Sequence, residues 1–360
     1  MTSTTQTEIV GADAPGPRAT RAPRSQRVLA GMAFDRIGAV YVWAVLAVVF
    51  TVWIPDTFPT VDTAKQILNT NAIIGLAALS ITIPLAARVF DLSFAYVMTL
   101  TGVASAHFVA VGMPLVPAIG IGLAIGFAIG VINAVVVVVM KIDSFIATLA
   151  TGSLIQALIT MVTNDTPISD ARLAGPFSKI GQTSVEGLTL PVFYFAAAAI
   201  AIWYLLEHTA TGRRLYATGF NPDASRLAGV SIDRLRFASL VASGTLAGAA
   251  GIVLASMLGS GSPTGGTPYL LPGFAAAFLG ATQLKHGRFN AGGTLIAVLL
   301  LGTGTTGLAL AAAPQWSGDM FVGVVLIAAL AVTGIQRRAT VRSTRRGLRF
   351  RRRPDEPRTT

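Results

Sequence analysis

Two short stretches of this 360-residue chain hold the residues best placed for chemistry. In Phe90-Asp91-Leu92-Ser93, an acid sits where one apolar run turns into the next. A carboxylate at membrane depth is costly and by default functional. Asp91 could equally cap a helix beginning at Leu92, accepting bonds from its free N–H groups. The two roles are compatible, because discontinuous helices often line a pathway. Asn71, Thr82, Asn133, Thr148, Thr151 and Gln156 are further polar points in apolar surroundings, each suited to a helix-to-helix hydrogen bond or to a ligand contact. Phe90, Asp91, Ser93, Asn71, Asn133, Thr148 and Thr151 are the candidate pathway residues.

The second stretch is Asn221-Pro222-Asp223-Ala224-Ser225-Arg226-Leu227-Ala228-Gly229. Asn221 is a strong N-cap, Pro222 fits the first helical position, and Asp223 faces the positive end of the helix dipole. Gly229 ends the helix in the residue after its C-cap. About two turns of helix are marginal alone in water, so the bundle's own face or a partner must hold it. It stands in a polar interruption, Glu207 to Arg236, far longer than an inter-helix connector requires. That favours a docking helix.

Other chemistries find no footing. His107, His208 and His286 have no second ligand at a helical or loop spacing, so no metal site is expected. Gly259–Gly266 lacks the lysine and flanking strand of a phosphate loop. No Ser/His/Asp or paired-carboxylate arrangement stands out, so no catalytic residue is assigned. Cysteine is absent, which excludes disulfides and thiol chemistry.

The elements that must position these residues are membrane helices. With 53% hydrophobic and 12% charged residues and a mean hydropathy of +0.66, a soluble domain is excluded. Apolar runs predict ten spans at 37–54, 71–88, 92–112, 114–140, 142–163, 190–207, 237–258, 269–284, 291–312 and 318–336, with Asp56–Asn69 lying along the outer interface. With the N-terminus inside, Arg88, Lys141, Arg213, Arg214, Arg226, Arg234, Arg236, Lys285 and Arg288 fall on the cytoplasmic side, and only Lys65, Arg172 and Lys179 outside. An eight-span count meets this test almost as well, whereas an odd count does not.

The net charge of +11 resembles a nucleic-acid footprint, but ten arginines lie beyond residue 336. A basic excess in membrane-flanking tails is a topology and anionic-lipid signal, not a base-reading surface. The domain reading is therefore a basic cytoplasmic tail at 1–36, expected to be disordered, a transmembrane domain at 37–336 and a second basic cytoplasmic tail at 337–360. Ten spans divide into two fives of opposite starting face, the arithmetic of an inverted repeat. Asn164 to Thr189 is the longest external segment, either a connector or a receiving surface for an external protein. The overlapping small-residue ladders Gly122–Gly126 and Gly126–Gly130 suit close helix packing or a dimer seam.

The chain resembles the permease subunits of ribose-type carbohydrate-uptake ABC transporters, in the superfamily that includes branched-chain amino acid and nucleoside permeases. The resemblance runs from about residue 70 to 336. Its anchors are Phe90–Ser93, Phe145–Leu149 with Thr151-Gly152, Thr211–Asn221, Ala224–Val230, Ser243–Gly248 with Ala250-Gly251, and Phe278–Gly280 with Gly292–Thr294. It implies an all-α polytopic bundle of the type II ABC importer kind in a bacterial plasma membrane, with both termini cytoplasmic. It further implies a second permease, identical or homologous, two cytoplasmic ATPase domains and an extracytoplasmic binding protein. ATP would be used by the partner, and no cofactor by this chain. Asn221 to Gly229 match the family's coupling helix. The chain departs from the family at Arg88-Val89-Phe90, Phe94-Ala95, Asn133-Ala134 and Gly280–Asn290, where glycines are usual, and filling such positions restricts left-handed turns and close backbone approach. A secondary transporter would need an intramembrane ion site, yet beyond Asp91 the spans contain almost no acids. A non-transporting scaffold leaves the opposed halves and the capped loop unexplained. Substrate is not encoded in generic Asn, Thr and Gln contacts; amino acids and nucleosides remain alternatives to a monosaccharide.

Overall fold

In hydrocarbon every backbone N–H and C=O must be satisfied within the protein, so long apolar runs fold as helices. The computed structural model describes residues 34–284 and 287–331 and is a helical bundle with one small hairpin. The first half comprises α1 (Phe34–Trp53), α2 (Val61–Ala86), α3 (Phe94–Ala110), α4 (Leu115–Ala134) and α5 (Ser144–Thr163). A π-helical turn, Val135–Val139, extends α4. After α5 come a 3-10 turn (Ala171–Ala174), the short α6 (Pro176–Gln182) and the hairpin of β1 (Ser184–Val185) and β2 (Leu188–Thr189), which pairs Ser184 with Thr189. The second half comprises α7 (Leu190–His208), α8 (Ala210–Phe220), α9 (Pro222–Leu227), α10 (Ile232–Leu258), α11 (Leu270–Ala281), α12 (Ala291–Leu310) and α13 (Trp316–Ala331).

Among the described residues, six helices are long and apolar enough to cross a membrane: α2, α4 with its π-turn, α5, α7, α10 and α12. Four shorter apolar helices, Gly38–Trp53, Phe94–Ala110, Thr267–Ala281 and Trp316–Ala331, complete the ten apolar segments of the sequence reading. α10 is the hub, packing against α4, α3 and α2. The glycine ladder of α4 is the seam: a Cβ on Gly126 would lie 2.7 Å from the Gly244 carbonyl oxygen, and one on Gly244 would lie 2.5 Å from that of Gly126. Close backbone approach between α4 and α10 therefore uses this ladder inside one chain.

Several boundaries differ from expectation. Residues 61–69 do not lie along an interface; they are the first turns of the continuous 26-residue α2, capped by Thr60, whose hydroxyl accepts from the Thr63 N–H. The stretch 164–189, expected to be external, is folded, with Leu173 and Phe177 fully buried and Gly181 pressed on Met257. The presumed span 269–284 contains only the 12-residue α11. Preceding it, Gly259 to Tyr269 turns back into the bundle: the Gly266 N–H donates to Thr99 Oγ1 at 3.0 Å, and a Cβ on Gly266 would strike the Ala95 carbonyl. This stretch carries Gly, Ser, Thr and Pro but no charge, a composition that allows non-helical backbone to be buried. α1 opens at Phe34, three residues before the expected start. Tail residues 1–33 and 332–360, including the end of the span expected at 318–336, lie outside the described residues.

Candidate functional site

The break between α2 and α3 builds the site. α2 ends in a Schellman motif: the Arg88 N–H donates to the Leu85 carbonyl at 3.0 Å and the Val89 N–H to that of Pro84 at 2.9 Å. Arg88 stands at φ +57°, the left-handed region that glycine usually fills. The larger side chain therefore does not forbid the turn.

From this turn the chain runs without helix to Asp91, which is completely buried. Asp91 Oδ1 accepts from the Ser93 N–H at 3.0 Å and the Ser93 hydroxyl at 2.6 Å, and Oδ2 accepts from the Ser243 hydroxyl on α10 at 2.7 Å. Ser93 Oγ in turn accepts from Asn133 Nδ2 on α4 at 2.7 Å. On the other side, the Phe90 N–H donates to Ser144 Oγ at 3.1 Å and the Leu92 N–H to Thr148 Oγ1 at 2.9 Å, both on α5. The turn is thus tied to α4, α5 and α10 at once.

Asp91 does not cap a helix at Leu92 as expected. α3 begins at Phe94, with Ser93 in the N-cap position. The carboxyl folds back on Ser93 two residues on and serves a tertiary junction, because Ser243 supplies a donor that local capping lacks. Asn133 Oδ1 is buried without a hydrogen-bond partner among the described residues. Most buried side-chain polar atoms have a hydrogen-bond partner, so this acceptor marks the site.

Of the sequence candidates, Phe90, Asp91, Ser93, Asn133 and Thr148 meet here. Asn71 does not: its Nδ2 donates to Ile67 within α2, and it packs against Gly302 of α12. Thr151 does not either, since its hydroxyl returns to the Ala147 carbonyl of its own helix. Ser243 and Ser144 were missed as partners, although Ser243 lies in a small-residue anchor of the sequence comparison; the contact with Asp91 spans 152 residues.

A second feature stands at the same end of the bundle. α9 runs Pro222–Leu227, and Asn221 Oδ1 accepts from the Ala224 N–H at 3.1 Å. Its far end is a Schellman motif: the Gly229 N–H donates to the Arg226 carbonyl and the Val230 N–H to that of Ser225, each at 3.0 Å, with Gly229 at φ +79°. α8 carries it against the bundle, where a Cβ on Gly219 would strike the Ala86 carbonyl oxygen. α9 turns Ser225 inward and its outer face to solvent: Leu227 is 91% and Phe220 of α8 71% exposed.

Residues 63–330 match the branched-chain amino acid transport system / permease component family. The chain belongs to that family. It is similar to the ribose import permease protein RbsC of Escherichia coli strain K12, 32% identical over 289 residues that cover 80% of this chain and 89% of the relative. The L-arabinose transport system permease protein AraH of the same strain is 31% identical over 308 residues, covering 83% and 90% respectively. A solved inward-facing ABC transporter of metal-chelate type superposes with a TM-score of 0.48 at 14% identity, covering 82% of this chain and 98% of that one. The protein is thus an ABC-type permease, a multi-pass transport subunit. This permease has an Asp-Leu-Ser turn between two apolar helices, with Arg88 and Phe90 beside it.

Proposed function

We propose that this permease forms the translocation pathway of an ATP-driven importer in the bacterial plasma membrane, for a monosaccharide or related polar small molecule. Similarity to ribose and L-arabinose import permeases supports the substrate class. A soluble binding protein delivers substrate from outside, and a second permease, identical or homologous, completes the pathway. The outward face of α5 supports that last point: Ile146, Leu154 and Met161 are more than half exposed on a helix with few neighbours in its own chain. ATP is bound and hydrolysed by a separate cytoplasmic subunit, and this chain uses no cofactor. Asp91, Ser93, Asn133 and Thr148, with Phe90, form a junction beside the pathway.

One observation carries the coupling assignment. α9 is capped at both ends, anchored through α8, and yet presents Leu227, Ala224 and Ala228 to solvent. A two-turn helix is marginal in water, and an apolar side chain held almost wholly exposed is stabilised when a partner covers it. Asn221 to Gly229 therefore form the helix that seats in the ATPase subunit.

Ala224→Glu and Ala228→Glu leave the bundle core untouched but place a charge in that contact, where an unpaired desolvated charge is costly. The expected outcome is normal membrane insertion, weakened co-purification with the ATPase and loss of ATP-driven uptake of labelled D-ribose or L-arabinose in vesicles. Full ATPase binding and normal uptake in both variants would remove α9 from coupling. Uptake without any ATPase, driven by an ion gradient, would overturn the importer assignment.

A further inference from the structure

The proposed coupling arm and the Asp91 turn are joined by a chain of contacts that neither assignment requires. Tyr216, on α8, directs its hydroxyl at two acceptors from different elements: the Phe289 carbonyl at 3.0 Å and Glu207 Oε1, near the end of α7, at 3.2 Å. One hydroxyl proton cannot serve both fully. Burial, and then the neighbouring Glu207 charge, push the Tyr216 phenol above its ordinary range, so the proton is retained at any physiological pH. The choice between acceptors is therefore a matter of position, not of titration.

Phe289 is itself held firmly. The next residue, Asn290, donates from Nδ2 to the carbonyls of Gln283 and Arg288 at 3.1 and 2.9 Å and caps α12 by accepting from the Gly293 N–H at 2.7 Å. The Phe289 ring meets Phe278 of α11 edge-on, with centroids 5.3 Å apart and planes at 73°. Phe278 stacks on Phe90 at 6.4 Å, and Phe90 meets Phe145 of α5 edge-on at 6.3 Å. Every step lies within the range at which aromatic rings attract in preferred geometries. Phe90 precedes Asp91. A packed interior has discrete arrangements and transmits displacement, as a fluid one would not.

We propose that Tyr216 is a positioning residue that passes movement of the α8–α9 arm to the Asp91 turn and α5. Its hydroxyl exchanges the Phe289 carbonyl for Glu207 as the arm moves, and Phe289, Phe278 and Phe90 carry the displacement. The two-acceptor hydroxyl supplies the bistable element that a coupling route needs beyond mere proximity. The inference rests on α9 being the ATPase-seating helix.

The test uses the intact complex of permease, ATPase and binding protein in lipid nanodiscs. Because the chain has no cysteine, single cysteines replacing Ala217 on α8 or Ile146 on α5 take a spin label, and the label response to vanadate-trapped nucleotide is recorded. In Tyr216→Phe the response at 217 should persist while that at 146 falls about fivefold, the equilibrium weight of one neutral hydrogen bond. Phe278→Leu, which leaves α8 untouched, should give a similar loss, and the double variant should lose little more than either single one. Glu207→Gln, which keeps the Phe289 contact and an acceptor oxygen at the second position, should retain the response at 146. An undiminished response at 146 in Tyr216→Phe, or additive losses in the double variant, would overturn the relay. If Ala224→Glu still binds the ATPase fully, the coupling assignment fails instead. If Ala224→Glu loses the ATPase while Tyr216→Phe responds normally, only the relay fails.

Discussion

Asp91 shows how a residue can be legible in type but not in role. An acid between two apolar runs marks a special position from sequence alone, because an unsupported carboxylate there is costly. Its partners are another matter: Ser243 and Asn133 are ordinary small polar residues whose proximity depends on α10 and α4 crossing the turn. The structure replaces a local cap by a junction with three accepted bonds, two from Ser93 and one from Ser243. This sharpens the expected outcome of substitution. Asp91→Asn keeps the shape and one acceptor for Ser93, and the Ser243 hydroxyl can turn to accept from the new amide. Assembly and much of the transport should survive. Asp91→Leu strands a buried N–H and two hydroxyls, each costing about 1–3 kcal/mol, and should lose both stable assembly and uptake. Thermal stability of the purified permease and vesicle uptake together check this pair. Loss of uptake in Asp91→Asn with stability intact would show that the carboxylate charge itself is required.

Among elements, α9 was legible to the residue and the segment before α11 was not, for a common reason. Capping is local: Asn221, Pro222 and Gly229 act within nine residues, and each occupies its expected helical position. The re-entry of Gly259 to Tyr269 depends on Thr99, 167 residues from its partner Gly266, so no local pattern announces it. Its uncharged Gly/Ser/Thr/Pro composition was the available signal. The α9 caps also permit a quantitative expectation. Asn221→Ala removes the acceptor for the Ala224 N–H and costs about 1 kcal/mol. Gly229→Ala forces a Cβ into the left-handed region at a cost of roughly 1 kcal/mol. If the ATPase requires the formed helix, each should weaken its association about fivefold, whereas Asn221→Asp, also a good cap, should not. A binding titration on nanodisc-held permease gives the comparison; equal affinity across the four proteins would mean that the partner reads side chains without needing the helix.

At the scale of the whole molecule, the apolar runs and the alternation of basic residues were sufficient for the bundle, because every crossing must be helical and each connector must return to one face or the other. The two interruptions are more informative still. One falls between the second and third helices of the first five (α2 and α3), the other between the second and third apolar helices of the second five (α10 and α11), and Gly266 of the latter packs on Ala95 in the first turn of α3. Interrupted segments at corresponding places in two halves are what an inverted repeat around a central pathway produces, so the proposed five-plus-five arrangement has support beyond counting. Such a repeat requires the halves to start on opposite faces, which makes orientation testable. Arg88, Lys141, Arg213, Arg214, Arg226, Arg234 and Arg288 share one end of the bundle, and the positive-inside rule predicts that this end is cytoplasmic. Ser225 and Ser178 are buried and would be poor reporters, whereas Asp223 and Glu186 are exposed at opposite ends. With an impermeant thiol reagent, a cysteine replacing Glu186 should label in intact cells, and one replacing Asp223 only after permeabilisation. The reverse pattern would place α9 outside, beyond reach of any cytoplasmic ATPase, and the orientation and coupling assignments would fall together.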